Sequence, residues 1–390
     1  MPPVRTAATL LATLSLGGCV DRVLRPTHCG DGVATPGEAC FEDGTEFLAM
    51  NFTPIALRVA PFDADERPDV LVTGTTPELG VVGAVSVTGE DGALGVPRDA
   101  GVYGCSAHPA LGDANGDDVT DLLVNLCDDT MLVFVADGAG AFAPPAFVDL
   151  DLLTRTSSIL DADRDGLADV IALGVAGDAI VLSWASGDGR GGYGPPHATW
   201  VGTLGAPDEP LGFSVGAIDD DALPDVLLSH ADPTQPPRLA RGTGGPFAPP
   251  VALDELPACR GVAFRDIDGD GDDEMLVVRA DPATFEVWRG REGSLWRERE
   301  TEIDIAEERP LAAGDVDGDG ALDFAFFDPA ATDVEIWLGD GEGGWAYTAD
   351  VEVGAAIDQL AVADLDGDGA AELVAGTFAR GGVTVVRGDP

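Results

Sequence analysis

The feature that most constrains this chain is a nine-residue run of alternating acids, Asp315-Val316-Asp317-Gly318-Asp319-Gly320-Ala321-Leu322-Asp323, and its recurrence. Carboxylates stand at positions 1, 3, 5 and 9, and glycines at 4 and 6. Alternate acids on a sharply turned backbone converge on one point, and glycine permits the φ values such a turn needs. Further copies are Asp364, Asp366, Asp368 and Glu372; Asp266, Asp268, Asp270 and Glu274; Asp161, Asp163, Asp165 and Asp169; and Asp113, Asn115, Asp117 and Asp121. Two shortened copies, Asp63, Asp65, Asp69 and Asp219, Asp221, Asp225, read as lacking two residues, the position-5 ligand among them. The starts at 63, 113, 161, 219, 266, 315 and 364 lie 50, 48, 58, 47, 49 and 49 residues apart. A period of this size marks a repeat architecture, in which each unit buries its apolar face against its neighbours.

One unit can be followed through its strands. A short apolar strand precedes each loop, as in Gln359-Leu360-Ala361-Val362-Ala363. An acid and an unbroken apolar run come after it, as in Asp169-Val170-Ile171-Ala172-Leu173 and Asp323-Phe324-Ala325-Phe326-Phe327. Unbroken runs of this length read as strands buried on both faces. A third strand, such as Asp333-Val334-Glu335-Ile336-Trp337, ends in a glycine-rich turn like Gly339-Asp340-Gly341-Glu342-Gly343-Gly344, and a fourth strand leads on. Asp-Gly and Gly-Gly pairs of this kind close hairpins. Four antiparallel strands per repeat make one propeller blade, so the chain reads as an all-β, seven-bladed β-propeller. The last repeat stops after its third strand, Val383-Thr384-Val385-Val386. Residues Phe47 to Phe52 are therefore expected to supply its outer strand and close the ring, which removes an open edge.

Hard oxygen donors converging in a small loop suit Ca²⁺, which takes 6–8 oxygen ligands in loose geometry. Asp113, Asn115, Asp117, Asp121, Asp161, Asp163, Asp165, Asp169, Asp266, Asp268, Asp270, Glu274, Asp315, Asp317, Asp319, Asp323, Asp364, Asp366, Asp368 and Glu372 are the candidate metal ligands. They imply about five structural Ca²⁺ sites; the loops at Asp63 and Asp219 are expected to bind weakly or not at all. The D-x-D-G-D-G-x-x-[DE] loop followed by an apolar run resembles the FG-GAP or VCBS repeats of the integrin-α-like propeller family, over about residues 46–390. That resemblance implies Ca²⁺ between the first and second strands of a blade, and partners that often bind the opposite face. The stretches Gly74 to Gly83, Thr203 to Gly212 and Ser229 to Arg238 read as the longest loops of that face.

The net charge is −49, and all 21 basic residues are arginine. Such a balance excludes nucleic acid as a partner and fits a protein that holds several divalent cations. Arg5 and the apolar run Thr6 to Leu16 form an export signal too short to span a bilayer. Leu16-Gly17-Gly18-Cys19 resembles a bacterial lipobox, which implies a lipid-modified Cys19 after a signal peptide at 1–18. Residues 19–45 then form a tether in which Cys29 and Cys40 flank Gly30-Asp31-Gly32 and Gly37-Glu38, a pattern that looks like a cysteine-rich repeat of bacterial surface proteins and suggests a local disulfide. Cys105 and Cys127 lie nearly symmetrically about the second loop, and a hairpin closed there would place them opposite each other as a second disulfide. Cys259 is left as a buried thiol. Paired cysteines agree with an oxidising cell-envelope compartment.

Catalytic patterns are thin. Gly212-Phe213-Ser214-Val215-Gly216 matches a nucleophile elbow, but that motif needs a strand, a sharp turn and a helix, and here it falls in a first strand. His28, His108, His197 and His230 are scattered without zinc spacing. The chain therefore reads as a monomeric, lipid-anchored binding or adhesion module without catalytic activity, with an unknown protein or glycan ligand. The alternative is a carbohydrate-binding or carbohydrate-active (lyase- or hydrolase-like) propeller. A cluster of exposed acids and aromatics at a mouth of the central channel would favour the alternative; a broad loop face without convergent acids would favour the binding module.

Overall fold

A computed structural model describes residue 41 and residues 46–388, except for 66, 78–79, 105–107, 127–129, 207–208, 219–220, 222, 231, 233–234, 255, 257–260, 268–272, 281–282, 292–293, 303–309 and 330. Cys19, Cys29, Cys40, Cys105, Cys127 and Cys259 therefore lie outside the described residues, and the lipid and disulfide expectations with them.

Seven four-stranded antiparallel sheets follow one another along the chain. Blade 3 is typical: Leu153–Leu160, Asp169–Ala176, Ala179–Ala185 and His197–Thr203 pair in sequence order. First strands of neighbouring blades touch one another and line the centre of the ring. Ring closure is as the sequence implies, with slightly shifted bounds: Glu46–Ala49 is the outer strand of blade 7 and pairs antiparallel with Gly382–Val386. Arg387 Nη2 donates to Glu46 Oε2 at 2.8 Å, and the Arg380 guanidinium lies 4.3 Å from the Phe47 ring centre.

The core is divided into clusters that sit between blades. Val170 and Ala172 of blade 3 pack with Leu123, Met131 and Val133 of blade 2. Ile171 and Leu173, the alternate residues of the same strand, pack with Val226 and Leu228 of blade 4. A period-2 strand sends successive side chains to opposite faces, and here both faces are covered. That is why the second strands are unbroken apolar runs. Leu48, Val383 and Val385 join Leu57, Val70 and Val72 in the cluster that closes blade 7 on blade 1.

One expectation about the opposite face fails. Gly74 to Gly83 is not a long loop: Asp69–Thr76 and Gly80–Ser86 run into a tight hairpin, with Thr76 opposite Gly80. Its glycines belong to the strands; Gly74 packs so closely on Phe52 and the Thr53 carbonyl that a Cβ there would lie 2.1 Å from that oxygen.

Candidate metal centres and the central cavity

Each acidic loop joins the first and second strands of its blade, and position 9 opens the second strand. The position-9 acids Asp69, Asp121, Asp169, Asp225, Glu274, Asp323 and Glu372 are all buried, at most 1% exposed. A buried charge costs free energy unless it is hydrogen-bonded, and these are. One oxygen of Asp323 accepts from Val316 N at 2.6 Å, the other from Gly339 N at 2.7 Å. Asp121 accepts likewise from Ala114 N at 2.8 Å and Ala136 N at 2.7 Å. The position-9 carboxylate thus ties its own loop to the exit of the third strand. Burial pushes Asp121 and Asp69 up to about 6 and Asp323 and Glu372 up to about 7, with neighbouring loop acids adding to the rise.

The remaining acids shape the turn. Position 3 accepts from the amide of position 5, as Asp163 does from Asp165 N at 3.1 Å and Asp366 from Asp368 N at 3.2 Å. Position 5 accepts from the amide of position 7, as in Asp319 from Ala321 N at 2.7 Å and Asp368 from Ala370 N at 2.9 Å. Position 1 uses both oxygens: Asp315 accepts from Asp319 N at 3.0 Å and Gly320 N at 2.9 Å. Gly318 and Gly320 have φ of 72° and 86°, the left-handed values the sequence calls for. Consecutive loops also join across blades, since Ala371 N donates to Val316 O at 3.2 Å and Leu322 N to Ile267 O at 3.1 Å.

This register corrects the two loops read as shortened. Phe62 N donates to Asp69 Oδ2 at 3.0 Å, the bond made elsewhere between positions 2 and 9. Position 1 is therefore Pro61, and Asp63 and Asp65 are positions 3 and 5. Their bonds agree: Asp63 accepts from Asp65 N at 3.0 Å and Asp65 from Arg67 N at 3.0 Å. In blade 4, Asp221 accepts from Leu223 N at 2.9 Å, as a position-5 acid does. Both loops are full length and keep position 5; what they lack is the position-1 acid, replaced by Pro61 and Ala217. Matching the first acid of each run conceals this. The apolar position 2 shows it, because Phe62 and Ile218 are buried like Val316 and Leu365.

Oxygens of Asp161, Asp163 and Asp169 lie within 4.8 Å of one another, as do those of Asp315, Asp317 and Asp323, and those of Asp364, Asp366 and Glu372. Ligands on opposite sides of a Ca²⁺ ion at 2.3–2.6 Å would be about 5 Å apart. Donor type and spread therefore fit a hard divalent cation at positions 1, 3 and 9. In blade 2 the position-3 donor is the amide oxygen of Asn115, which accepts from Asp117 N at 3.0 Å. In blade 5, Ile267 N donates to Glu274 Oε2 at 3.1 Å, while Asp268 and Asp270 lie outside the described residues.

The other candidates fall elsewhere. Ser214 is in the strand Pro210–Gly216, and its Oγ accepts from Phe264 N at 3.1 Å. A strand runs through it, so the strand–turn–helix of a nucleophile elbow is not formed. His197 stacks on Trp184 with ring centres 5.4 Å apart. His108 precedes the first strand of blade 2; burial, and then the Arg58 guanidinium, lower its pKa. At the centre of the ring is a cavity of about 780 Å³. It is lined mainly by first-strand residues of blades 1, 5, 6 and 7, among them Val59, Ala263, Ala312 and Val362, with Pro61 and Pro68 of the blade 1 loop and the second-strand Leu276 and Phe324; its one charged lining residue is Arg265. Sequence reasoning missed Arg265.

The chain matches the FG-GAP-like repeat family at residues 266–326 and 315–375. No curated protein matches it. Among solved structures, it is similar to an Agrocybe aegerita lectin described by its recognition of non-reducing terminal N-acetylglucosamine, with 16% identity and a TM-score of 0.51, over 84% of this chain and 87% of the lectin. It is also similar to a Bacteroides fragilis protein assigned as a 6-phosphogluconolactonase, with 13% identity and a TM-score of 0.50, over 75% of this chain and 83% of that one. At these identities the likeness is one of fold.

Proposed function

From a seven-bladed propeller that carries FG-GAP-like repeats, we propose a calcium-stabilised binding or adhesion module, exported and held to the cell envelope by lipid on Cys19. The observation that carries this reading is the use made of the acids. In three loops they converge within 4.8 Å, and the same carboxylates hold the backbone of the turn. Asp113, Asn115 and Asp121 would hold the ion in blade 2, Asp161, Asp163 and Asp169 in blade 3, and Asp266, Asp268 and Glu274 in blade 5. Asp315, Asp317 and Asp323 would do so in blade 6, and Asp364, Asp366 and Glu372 in blade 7. Bound Ca²⁺ supplies positive charge that offsets carboxylate repulsion, and does no chemistry. The loops thereby fix a rigid ring whose other surfaces are free to bind.

A carbohydrate ligand is the second reading, and the exposed aromatics favour it over a purely structural role. Trp200, Trp296 and Tyr347 stand on the outer strands of blades 3, 5 and 6, exposed by 57%, 43% and 48%. Flat apolar faces in water suit stacking on sugar rings. Hydrolysis of a glycoside needs two carboxylates flanking the bond, whereas the central cavity is lined by apolar residues and an arginine. That supports binding over turnover.

The test is a glycan array and a protein pull-down with the calcium-loaded soluble ring, alongside fractionation of the full chain and its Cys19→Ser form. A ligand captured without being consumed, and loss of the Cys19→Ser form from the membrane fraction, are the expected results. Turnover of a captured glycan, or normal processing and membrane retention of Cys19→Ser, would overturn the respective half of the proposal.

A further inference from the structure

We propose that the central cavity is a receptor for a small amphipathic organic carboxylate, anchored by Arg265. Three independent observations lead there. The cavity has about 780 Å³ and walls built from the apolar side chains of four blades. Ligand sites usually fall at about 300–1,000 Å³, mostly apolar with a few placed polar groups. The second observation is where Arg265 stands. It is the last residue of its first strand, opposite Glu274 in the ladder. At the equivalent register the other six blades carry Ala60, Gly112, Leu160, Gly216, Gly314 and Ala363. One blade in seven therefore departs from a small or apolar residue, and it departs to a full positive charge.

The third is the company Arg265 keeps. In a chain of net charge −49, many arginines find carboxylates; Arg98, Arg164 and Arg190, exposed like Arg265, make no ion pair among the described residues, but of these four only Arg265 lines the cavity. Arg155 pairs with Glu209, Arg279 and Arg297 with Glu286, Arg299 with Asp340, and Arg387 with Glu46. Arg265 instead donates from Nη1 to the carbonyl oxygen of Phe264 at 2.7 Å, and no carboxylate among the described residues pairs with it. Arg58, on the first strand of blade 1, is similar. It donates to Leu57 O at 2.8 Å and more loosely to Pro109 O of blade 2 at 3.4 Å, and its equivalents in the other blades are alanine or serine. Two arginines of the first strands thus have no carboxylate partner among the described residues, and of the two Arg265, itself exposed, lines the cavity.

A guanidinium presents a planar fork that matches a carboxylate with two parallel hydrogen bonds. One such fork among apolar walls suits a monoanion with a hydrocarbon body; a phosphate dianion would call for more cations. Two strands' worth of alanine and valine beside it would receive the body of the ligand.

The probe is hexanoate, titrated calorimetrically into the calcium-saturated protein, with hexanamide as the uncharged counterpart and acetate as the carboxylate without a body. Hexanoate is expected to bind at least tenfold more tightly than either. Arg265→Gln should weaken hexanoate at least tenfold while leaving the unfolding temperature and calcium stoichiometry unchanged, and Arg265→Lys should recover part of the loss. Absence of hexanoate binding would overturn the proposal, as would equal affinity for hexanamide or acetate, or an Arg265→Gln protein that folds and binds hexanoate like the parent. The proposal does not depend on the envelope-binding reading, since a glycan or protein captured on the outer surfaces would leave these titrations unaffected.

Discussion

The loops of blades 6 and 1 share a backbone plan and differ in what neutralises it. Both hold a buried position-9 acid that accepts two backbone amides: Asp323 from Val316 and Gly339, Asp69 from Phe62 and Thr88. Both use position-3 and position-5 acids to accept from the amides two residues on. In blade 6, Asp315 adds a further carboxylate and position 7 is the apolar Ala321. In blade 1, Pro61 takes the place of that acid and position 7 is Arg67, whose Nη2 lies 2.5 Å from Asp65 Oδ2. One loop gathers acids that, in the reading proposed above, take a cation from solution. The other drops an acid and brings its own cation. The turn thus forms with or without an acid at position 1: positions 3, 5 and 9 hold it in both loops, Asp315 adds two further backbone bonds in blade 6, and in the reading proposed above position 1 also completes the metal site.

The largest effect that could break this comparison is at position 9. Asp323→Ala leaves two buried amides without acceptors, which should cost about 2–6 kcal/mol at about 1–3 kcal/mol each. Asp69→Ala should cost a similar amount. Chemical denaturation with and without chelator separates them: the Asp69→Ala penalty should be the same in both, while the Asp323→Ala penalty should grow in Ca²⁺. Equal calcium dependence for the two variants would contradict the division.

Next in size is pH dependence. Asp69, Asp121, Asp323 and Glu372 are raised to about 6–7 in the folded chain, chiefly by burial. Unfolded carboxylates titrate near 4. A raised folded pKa means the folded state holds more protons in this window, so that contribution is full below pH ~4 and lost as pH rises through 6–7. Chelated protein should therefore be less stable at pH 8 than at pH 5. Calcium, which takes the place of those protons, should flatten the trend. Stability that rises from pH 5 to pH 8 in chelator would contradict the origin assigned to these shifts.

Much of this was legible in the sequence. The acid spacing and the unbroken apolar strands after each loop fix the blade, because both faces of the second strand are covered by neighbours. The missing fourth strand of the last repeat points to closure by Phe47 to Phe52, and the strand that closes the ring is Glu46–Ala49. The register of the loops at Asp63 and Asp219 is hidden in the sequence, because their first acid stands at position 3 and not at position 1. The apolar Phe62 and Ile218, and Pro68 and Pro224 just before the position-9 acids, carry the correct frame. Arg67 and Arg265 were missed because a charge on an acidic surface is ordinary until its neighbours are known. Only the fold places Arg67 against Asp65, and the exposed Arg265 on the lining of a mostly apolar cavity.

The smallest effects come from exchanging the two solutions. Arg67→Ala should cost less than about 1 kcal/mol, as partly exposed ion pairs do. Arg67→Ala combined with Pro61→Asp is expected to create a calcium site in blade 1, seen as one added ion per chain. A double variant that binds no further calcium would show that more than position 1 distinguishes the loops.

The central claim is that calcium is held structurally wherever position 1 carries an acid. Calcium titration calorimetry of the metal-stripped ring, paired with unfolding scans in Ca²⁺ and in chelator, tests it most directly. We expect about five ions per chain, at the loops beginning at Asp113, Asp161, Asp266, Asp315 and Asp364. Each site adds about 2.7 kcal/mol of stability when free ion stands at 100 times its Kd, so unfolding in Ca²⁺ should move well above that in chelator. A stoichiometry near zero with coincident unfolding curves would reduce these acids to turn formers, and a stoichiometry of seven would place metal in the loops of Pro61 and Ala217 and refute the position-1 rule.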